Sequence, residues 1–283
     1  MFPRPIQDAS PRAQLLYKIA LPVSLIIWLL PMIAIVATAG RSLSDLNYGN
    51  YWGVPTEWAF IENFSSVFGS SSIGNYLLNS VIITIPSIIG ALFLSTLAGA
   101  GLALYKFRGR FVILALFIAG NFVPFQILMI PVRQLTLDLG IYDTYWGVIL
   151  FQIAFQTGFC TFFMRNFIAD LPFELVEAAR AEGVSEWKIL IHVIVPLVRP
   201  ALAALAVLQF TFIWNDFFWP LILIQSDELR PITLGLTTLK GQYISSFNLL
   251  AAGSLIAALP PVMMFFAMQR HFIAGLTLGA SKG

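Results

Sequence analysis

Charged side chains are scarce in this chain: they make up 11% of its 283 residues, against 58% hydrophobic ones. Soluble domains carry roughly 25% charged and 45–50% apolar residues, so a surface wetted on all sides is excluded. The single cysteine, Cys160, excludes an internal disulfide; it lies in an apolar run and reads as a small packing residue. His192 and His271 are far apart and have no Cys, Asp or Glu at ligand spacing, so no metal site is expected. No Gly-x-x-x-x-Gly-Lys-Ser/Thr segment occurs, which removes a loop for ATP phosphates. Ser185 and His192 share a loop, but no third group orients them, and no paired carboxylates suggest acid–base chemistry. Nothing in the chain points to an enzyme.

Long apolar runs fill the space that charge vacates. Ile19 to Ala39, Tyr76 to Tyr105, Phe111 to Val132, Thr144 to Met164 and Gly241 to Gln269 contain no charged residue, and Pro200 to Ser226 contains one, Asp216. About 20 apolar residues span the roughly 30 Å of bilayer hydrocarbon. Barrel strands would alternate with period two, and these runs do not, so each is expected to be a helix. The expected fold class is all-α, with six spans near 19–39, 76–105, 111–132, 144–166, 197–226 and 247–270 in one domain over 1–283. The first run also mimics a signal peptide, with Ala37-Thr38-Ala39 at its end, but it is longer than the 7–15 residues of such a segment. It is expected to stay.

Prolines fall inside the spans at Pro22, Pro31, Pro86, Pro124, Pro131, Pro260 and Pro261. They read either as packing kinks or as hinges, provided neighbours satisfy the freed carbonyls. Gly90, Ala91, Ser95, Ala98, Gly99, Ala100 and Gly101 suit close helix–helix approach. The 25 Phe and 7 Trp suit lipid and its interface; Tyr48, Tyr51, Trp52 and Trp58, after the first span, read as interfacial anchors.

Basic residues decide the orientation. With both termini inside, the inner segments hold Arg4, Arg12, Lys18, Lys106, Arg108, Arg110, Arg165, Arg180, Lys188, Arg199, Arg270 and Lys282, which is 12 of the 16. Arg41, Arg133, Arg230 and Lys240 lie outside. Positive charge accumulates on the cytoplasmic side, so both termini are expected there.

The segment between the fourth and fifth spans, 170–196, carries the most information. Asp170 is placed to cap a short helix with Pro172 in its first turn, and Gly183 to end it with φ > 0. Ser185 is placed to cap a second helix running toward Pro196. Glu177 and Arg180, three apart, are expected to pair on one face. Small Ala178 and Ala179 would let another protein's backbone approach. A plain connector between two spans remains the alternative.

Glu177-Ala178-Ala179, three residues, Gly183, nine residues, then Val193-Ile194-Val195-Pro196 resembles the EAA loop of ABC importer permeases. Trp214-Asn215-Asp216-Phe217-Phe218-Trp219-Pro220 and the ending from Gln269 to Gly283 resemble the smaller permease of maltose-type carbohydrate importers. The resemblance implies that 170–196 is a coupling loop, with Glu177, Ala178, Ala179, Arg180, Gly183, Trp187 and Pro196 meeting a cytoplasmic ATPase. It implies an inner-membrane complex with a second related permease, two ATPase copies and an extracytoplasmic sugar-binding protein, in a lipid bilayer and without nucleic acid. No cofactor would bind this chain; ATP and Mg would bind the partner ATPase. The substrate is expected to be a sugar or sugar derivative.

Asp216 is the one acid within a span, and such a residue is a functional hypothesis by default. Three readings stand: a structural acid paired with Asn215 or a neighbouring helix, a wall of the substrate pathway, or a proton or cation relay. The last would make the chain an ion-coupled secondary transporter. Asn121, Gln126, Gln152, Gln156, Gln209 and Asn215 are the other polar candidates; their amides are costly to place in lipid, so they line either helix contacts or the pathway. An ABC permease for a non-sugar solute is a further alternative.

Overall fold

The computed structural model describes residues 10–70, 72–239 and 246–280, in the last segment with side chains to Gln269. Arg4, Lys240 and Lys282 of the charge count lie outside the described residues, as do the side chains of Arg270 and His271. The described residues are helical, without a strand; an isolated bridge joins Arg41 and Trp58. The chain divides into two compact units, 1–71 with 239–256 and 72–238 with 257–283.

The first unit begins with α1 (Pro11–Ala39), which starts where Ser10 Oγ accepts the Ala13 N–H at 3.4 Å. Pro11 fits there because the first helical N–H has no intrahelical partner anyway. Along α1 only Ala39 is buried, so the helix presents apolar side chains all round. Helices α2 (Leu43–Asn47) and α3 (Phe60–Ser70) follow. Asn63 in α3 donates to the carbonyls of Ala39 and Arg41, each at 2.8 Å, and accepts from Asn248 Nδ2 at 2.7 Å. Asp45 accepts from the backbone and hydroxyl of Thr56 at 2.9 and 2.7 Å. These bonds satisfy the polar backbone of an irregular loop. Tyr48, Trp52 and Trp58 are exposed beyond it.

The second unit is organised on α4 (Ile73–Leu104), with α5 (Arg110–Gly120), α6 (Met129–Asp138) and α7 (Tyr145–Ala169). Helices α4 and α7 run parallel: Tyr145 Oη donates to Asn79 Oδ1 at 2.7 Å near their starts, and Gly99 meets Arg165 near their ends. A Cβ on Gly99 would lie 2.9 Å from Arg165 N and from Met164 Cβ, so glycine is what permits this approach. Gly90 plays the same part against Ile153. Next come α8 (Phe173–Ala181), α9 (Glu186–Ile189), a π turn at Leu190–Ile194, α10 (Val195–Leu197) and α11 (Arg199–Trp214). Then follow α12 (Phe218–Leu223), α13 (Ile232–Gly235) and α14 (Phe247–Ala280). Within α14, Pro261 has no N–H for the carbonyl four residues back, at Ala257. The buried indole of Trp214 donates to that carbonyl at 3.0 Å, the kind of repair a membrane helix with an internal proline requires.

Four helices among the described residues are long and apolar enough to cross a membrane: α1, α4, α7 and residues Phe247–Gln269 of α14. The third apolar run is not one straight helix. Pro124 cannot extend α5, so the chain turns at Asn121–Pro124 and the two pieces meet at 90°. Nor does the fifth run continue from 197 to 226. Helix α11 ends at Trp214, three irregular residues follow, and α12 restarts at Phe218. A second bend, of 74°, separates Glu186–Leu197 from α11 at the paired prolines Pro196 and Pro200. Counting each bent pair as one span gives six.

Candidate functional site

The two helix interruptions are the places where polar side chains gather. At the first, Asn121 turns its amide back to the Phe117 carbonyl at 2.8 Å, closing the end of α5. A 3-10 turn at Phe125–Leu128 then leads into α6. At the second, Asn215 does the same for α11, donating to the Thr211 carbonyl at 2.8 Å. The ring of Phe125 meets the ring of Phe218 edge-on at 5.2 Å, so the two breaks lie side by side. Asn121, Gln126 and Asn215 are exposed there, and Gln156 is half-buried.

Asp216 has a definite set of partners. Its Oδ1 accepts the N–H groups of Phe218 and Trp219 at 3.0 and 3.3 Å, which begins α12. Its Oδ2 accepts Gln152 Nε2 from α7 at 2.6 Å. Thr233 Oγ1 donates to the Asp216 carbonyl at 2.7 Å, fastening α13 to the break. The side-chain partner is therefore the neighbouring helix and not Asn215. An acid with three donors is engaged as a cap and a bridge, as expected for a structural carboxylate. Gln209 is fully buried, and neither of its amide atoms makes a hydrogen bond among the described residues. The polar candidates thus divide: three at the exposed breaks, Gln152 with Asp216 within the packing, Gln156 between, and Gln209 in the core.

At the end where α4 and α7 begin, a turn at 225–232 is fixed by residues that composition gave no reason to select. Asp143, with φ of 56°, accepts the backbone N–H groups of Gln225 and Ser226 at 2.8 and 2.9 Å. Asn79 donates to the carbonyls of Glu228 and Arg230 at 2.7 and 2.9 Å. Tyr76 Oη donates to Asp227 at 2.8 Å, and Ser80 Oγ accepts the Ile232 N–H at 2.8 Å. For Tyr76, Asn79 and Ser80 the one sequence signal was placement: polar side chains in the first turns of an otherwise apolar helix.

At the opposite end, 170–197 forms a helical hairpin. Helix α8 closes in a Schellman turn: Val184 N–H bonds to the Ala179 carbonyl at 3.1 Å and Gly183 N–H to Arg180 at 3.0 Å. Gly183 has φ of 76°, as its position predicts, and nothing lies within 4 Å of where its Cβ would be. Ser185 caps α9 by backbone geometry, without a side-chain bond. Asp170 is the C-cap of α7, and Pro172 stands at the N-cap of α8; the proline keeps its own φ while excluding Leu171 from helix, so α8 starts later than expected. The ladder loosens into the π turn just before Pro196, which lacks an N–H to return.

Val176, Ile189, Ile194 and Val198 are buried in one cluster with Ala100, Cys160, Met164, Ile168, Ala201 and Leu205. The hairpin is therefore seated on α4, α7 and α11. Glu177, Ala178 and Trp187 are exposed; Ala179 turns inward against the cluster, and Pro196 is half-buried. The expected Glu177–Arg180 pair does not form. Arg180 makes a two-pronged bond to Glu186 at 2.8 and 3.1 Å, because the Schellman turn brings α9 back alongside α8. Tyr105 Oη donates to the same carboxylate, and the Arg180 guanidinium sits 5.4 Å from the centre of the Tyr105 ring. The Arg180 bond first, and the Tyr105 bond next, hold the Glu186 carboxyl below its ordinary range.

Apolar spans, paired helix breaks and a hairpin seated at one end define an integral-membrane permease built on helices. The chain belongs to the family described as binding-protein-dependent transport system inner membrane component, whose model matches residues 91–277. Over 94% of its length it is 33% identical to the arabinooligosaccharides transport system permease protein AraQ of Bacillus subtilis, of which 96% is covered. The osmoprotective compounds uptake permease protein GgtD of Synechocystis sp. is 34% identical over 90% of this chain and 88% of its own. The lactose transport system permease protein LacG of Rhizobium radiobacter is 34% identical over 79% and 81%. A chain of a bacterial ABC transporter that imports the acidic polysaccharide alginate has the same fold, with a TM-score of 0.80 over 93% of this chain and 99% of that one, at 22% identity.

Proposed function

We propose that this chain is one of two related permease subunits of an ABC importer for a sugar or sugar derivative. The carrying observation is the 170–197 hairpin. It presents Glu177, Ala178 and Trp187 outward while Val176 and Ile189 anchor it in the core. A short helix that is exposed on one side and seated on the other takes a push from a partner and passes it to the spans. The relatives named for arabinooligosaccharide and lactose transport support the sugar class. The relative named for osmoprotective compounds keeps a non-sugar solute as the second reading, which a substrate screen with the cognate binding protein separates.

In this reading the hairpin end is cytoplasmic and the 225–232 turn faces outward, in line with the basic residues Lys106, Arg108, Arg110 and Lys188 at the hairpin end. An extracytoplasmic binding protein delivers the solute. Two ATPase subunits bind ATP and Mg, close, and displace the hairpins, and the paired helix breaks with Asn121, Gln126 and Asn215 offer hydrogen-bonding groups to solute hydroxyls. Asp216, already engaged by three donors, serves as the brace of one break rather than as an ion relay.

The test is Ala178→Arg in a complex reconstituted with its ATPase and binding protein. The residue is exposed, so the spans stay folded. Overpacking a tight contact costs about 1–3 kcal/mol, which lowers ATPase affinity by roughly 5- to 150-fold. Normal co-purification together with normal sugar-stimulated hydrolysis would reduce the hairpin to a connector.

A further inference from the structure

The hairpin touches α4 in two ways. Deeper in, Ile189 and Ile194 pack with Ala100 in the buried cluster. Nearer the surface, an apolar cleft of about 180 Å³ separates them, with Leu97, Gly101 and Leu104 on one side and Trp187 and Leu190 on the other. Leu104 and Leu190, on its two sides, both also pack against the buried cluster. Tyr105 and Glu186 stand at its rim.

One carboxylate bridges the rim. Glu186, at the first position of α9, accepts from Tyr105 Oη just beyond α4 and from both Nε and Nη2 of Arg180 in α8. The Arg180 guanidinium also lies against the Tyr105 ring. Two neighbouring helices and one distant in sequence therefore meet at one acid: the short helix α8, the start of α9 and the end of α4. Planar, two-pronged arginine–carboxylate pairing fixes orientation as well as distance. A π turn follows at Leu190–Ile194, and π turns of this kind recur at functional positions. At the rim the clasp is the polar connection that ties α8 and α9 to the end of α4, beside the apolar seating of the hairpin.

We infer that Glu186 is a positioning residue for energy coupling: through Tyr105 and Arg180 it passes displacement of α8 to the cytoplasmic end of α4. This rests on the importer reading above; it adds Tyr105 and Glu186 to the expected coupling residues and gives Arg180 a partner within the chain. A contact that only seated the hairpin would change stability. A contact that transmits motion changes how much solute moves for each ATP hydrolysed.

The experiment uses the reconstituted complex with its ATPase and loaded binding protein, and compares wild type with Glu186→Gln, Tyr105→Phe and the charge-exchanged pair Arg180→Glu with Glu186→Arg. Glu186→Gln and Tyr105→Phe are expected to keep ATPase stoichiometry and basal hydrolysis. Solute transported per ATP is expected to fall by about 1.4- to 5-fold, the range to which an exposed pair's strength converts. The exchanged pair is expected to transport more per ATP than either single reversal. A wild type whose hydrolysis ignores the binding protein overturns the importer reading and this inference with it. A responsive wild type with an unchanged ratio in both Glu186→Gln and Tyr105→Phe overturns the clasp alone. Loss of the ATPase from either of those variants also overturns it, because the carboxylate would then be part of the docking contact.

Discussion

At the start of α4 and α7, a turn with no helix longer than one turn is held by side chains from three directions: Asp143, Tyr76 with Asn79 and Ser80, and the pair Asp227–Arg230. At the far end, a hairpin with two capped helices is held by an apolar cluster, a loosened π turn and one exposed carboxylate clasp. The two ends belong to the same packed unit, so their difference is not one of neighbourhood. Irregular backbone needs a hydrogen-bond partner for each buried group, and Asn79 and Ser80 supply them. Helices satisfy their own backbones and need only be seated. The consequence is that one end is fixed point by point and the other is held by an apolar face and one clasp.

The largest break in that comparison comes from Asn79. Its replacement by leucine leaves the carbonyls of Glu228 and Arg230 and the Tyr145 hydroxyl without their partner. These groups are part-buried, so each costs the lower end of the roughly 1–3 kcal/mol of a buried unsatisfied group, and destabilisation of about 3 kcal/mol is expected in thermal unfolding of the detergent-solubilised protein, with earlier proteolysis in 225–232. A change under about 0.5 kcal/mol would mean that the turn is not fixed point by point. Asp216 gives the next effect and a sharper contrast. Asp216→Leu strands two backbone N–H groups and the Gln152 amide, at about 2–4 kcal/mol. Asp216→Asn keeps an acceptor for the backbone and lets Gln152 present its oxygen, at about 1 kcal/mol. Equal losses would remove the capping account.

The smallest effect belongs to the clasp. The Glu186 carboxyl lies below its ordinary range because of Arg180 and then Tyr105, the two groups that face it. A lowered carboxyl pKa contributes stability that is complete above the unfolded value and is lost as pH falls through the folded one. Protease sensitivity of the hairpin should thus be flat from neutral pH down to the usual carboxylate range, rise on further acidification, and lose that acid limb in Glu186→Gln. A limb of the same shape in the variant would assign the effect to another group. Because the pair is exposed, added salt should shrink the effect.

The apolar runs made the helices legible, since length and absence of charge are enough to identify a span. Gly183 was legible too, because a glycine after a short capped helix is the ordinary ending. Of the breaks, only the one at Pro124 was signalled, as a kink or hinge, and neither break's capping was. Run-length reading averages over 20 residues, whereas Asn121 and Asn215 act on the carbonyl four residues behind and Asp216 on the N–H groups two and three ahead. A cap is a local event inside an apolar average. Arg180 misled for the converse reason. Helical spacing offered Glu177, but a turn whose shape is set by Gly183 returned Glu186 to the same guanidinium with two bonds. Tyr105 lies 81 residues from Glu186 and no local rule joins them.

The indole that fills the gap left by Pro261 inverts an ordinary expectation. Replacing an internal proline with alanine usually restores a rung of the helical ladder and stiffens the helix. Here the restored rung would draw the Ala257 oxygen back along the axis of α14, and the buried Trp214 N–H would lose the acceptor it now has at 3.0 Å. The proline and the tryptophan are one device written in two helices. The flaw in α14 is the socket for α11, and mending it would pull the plug.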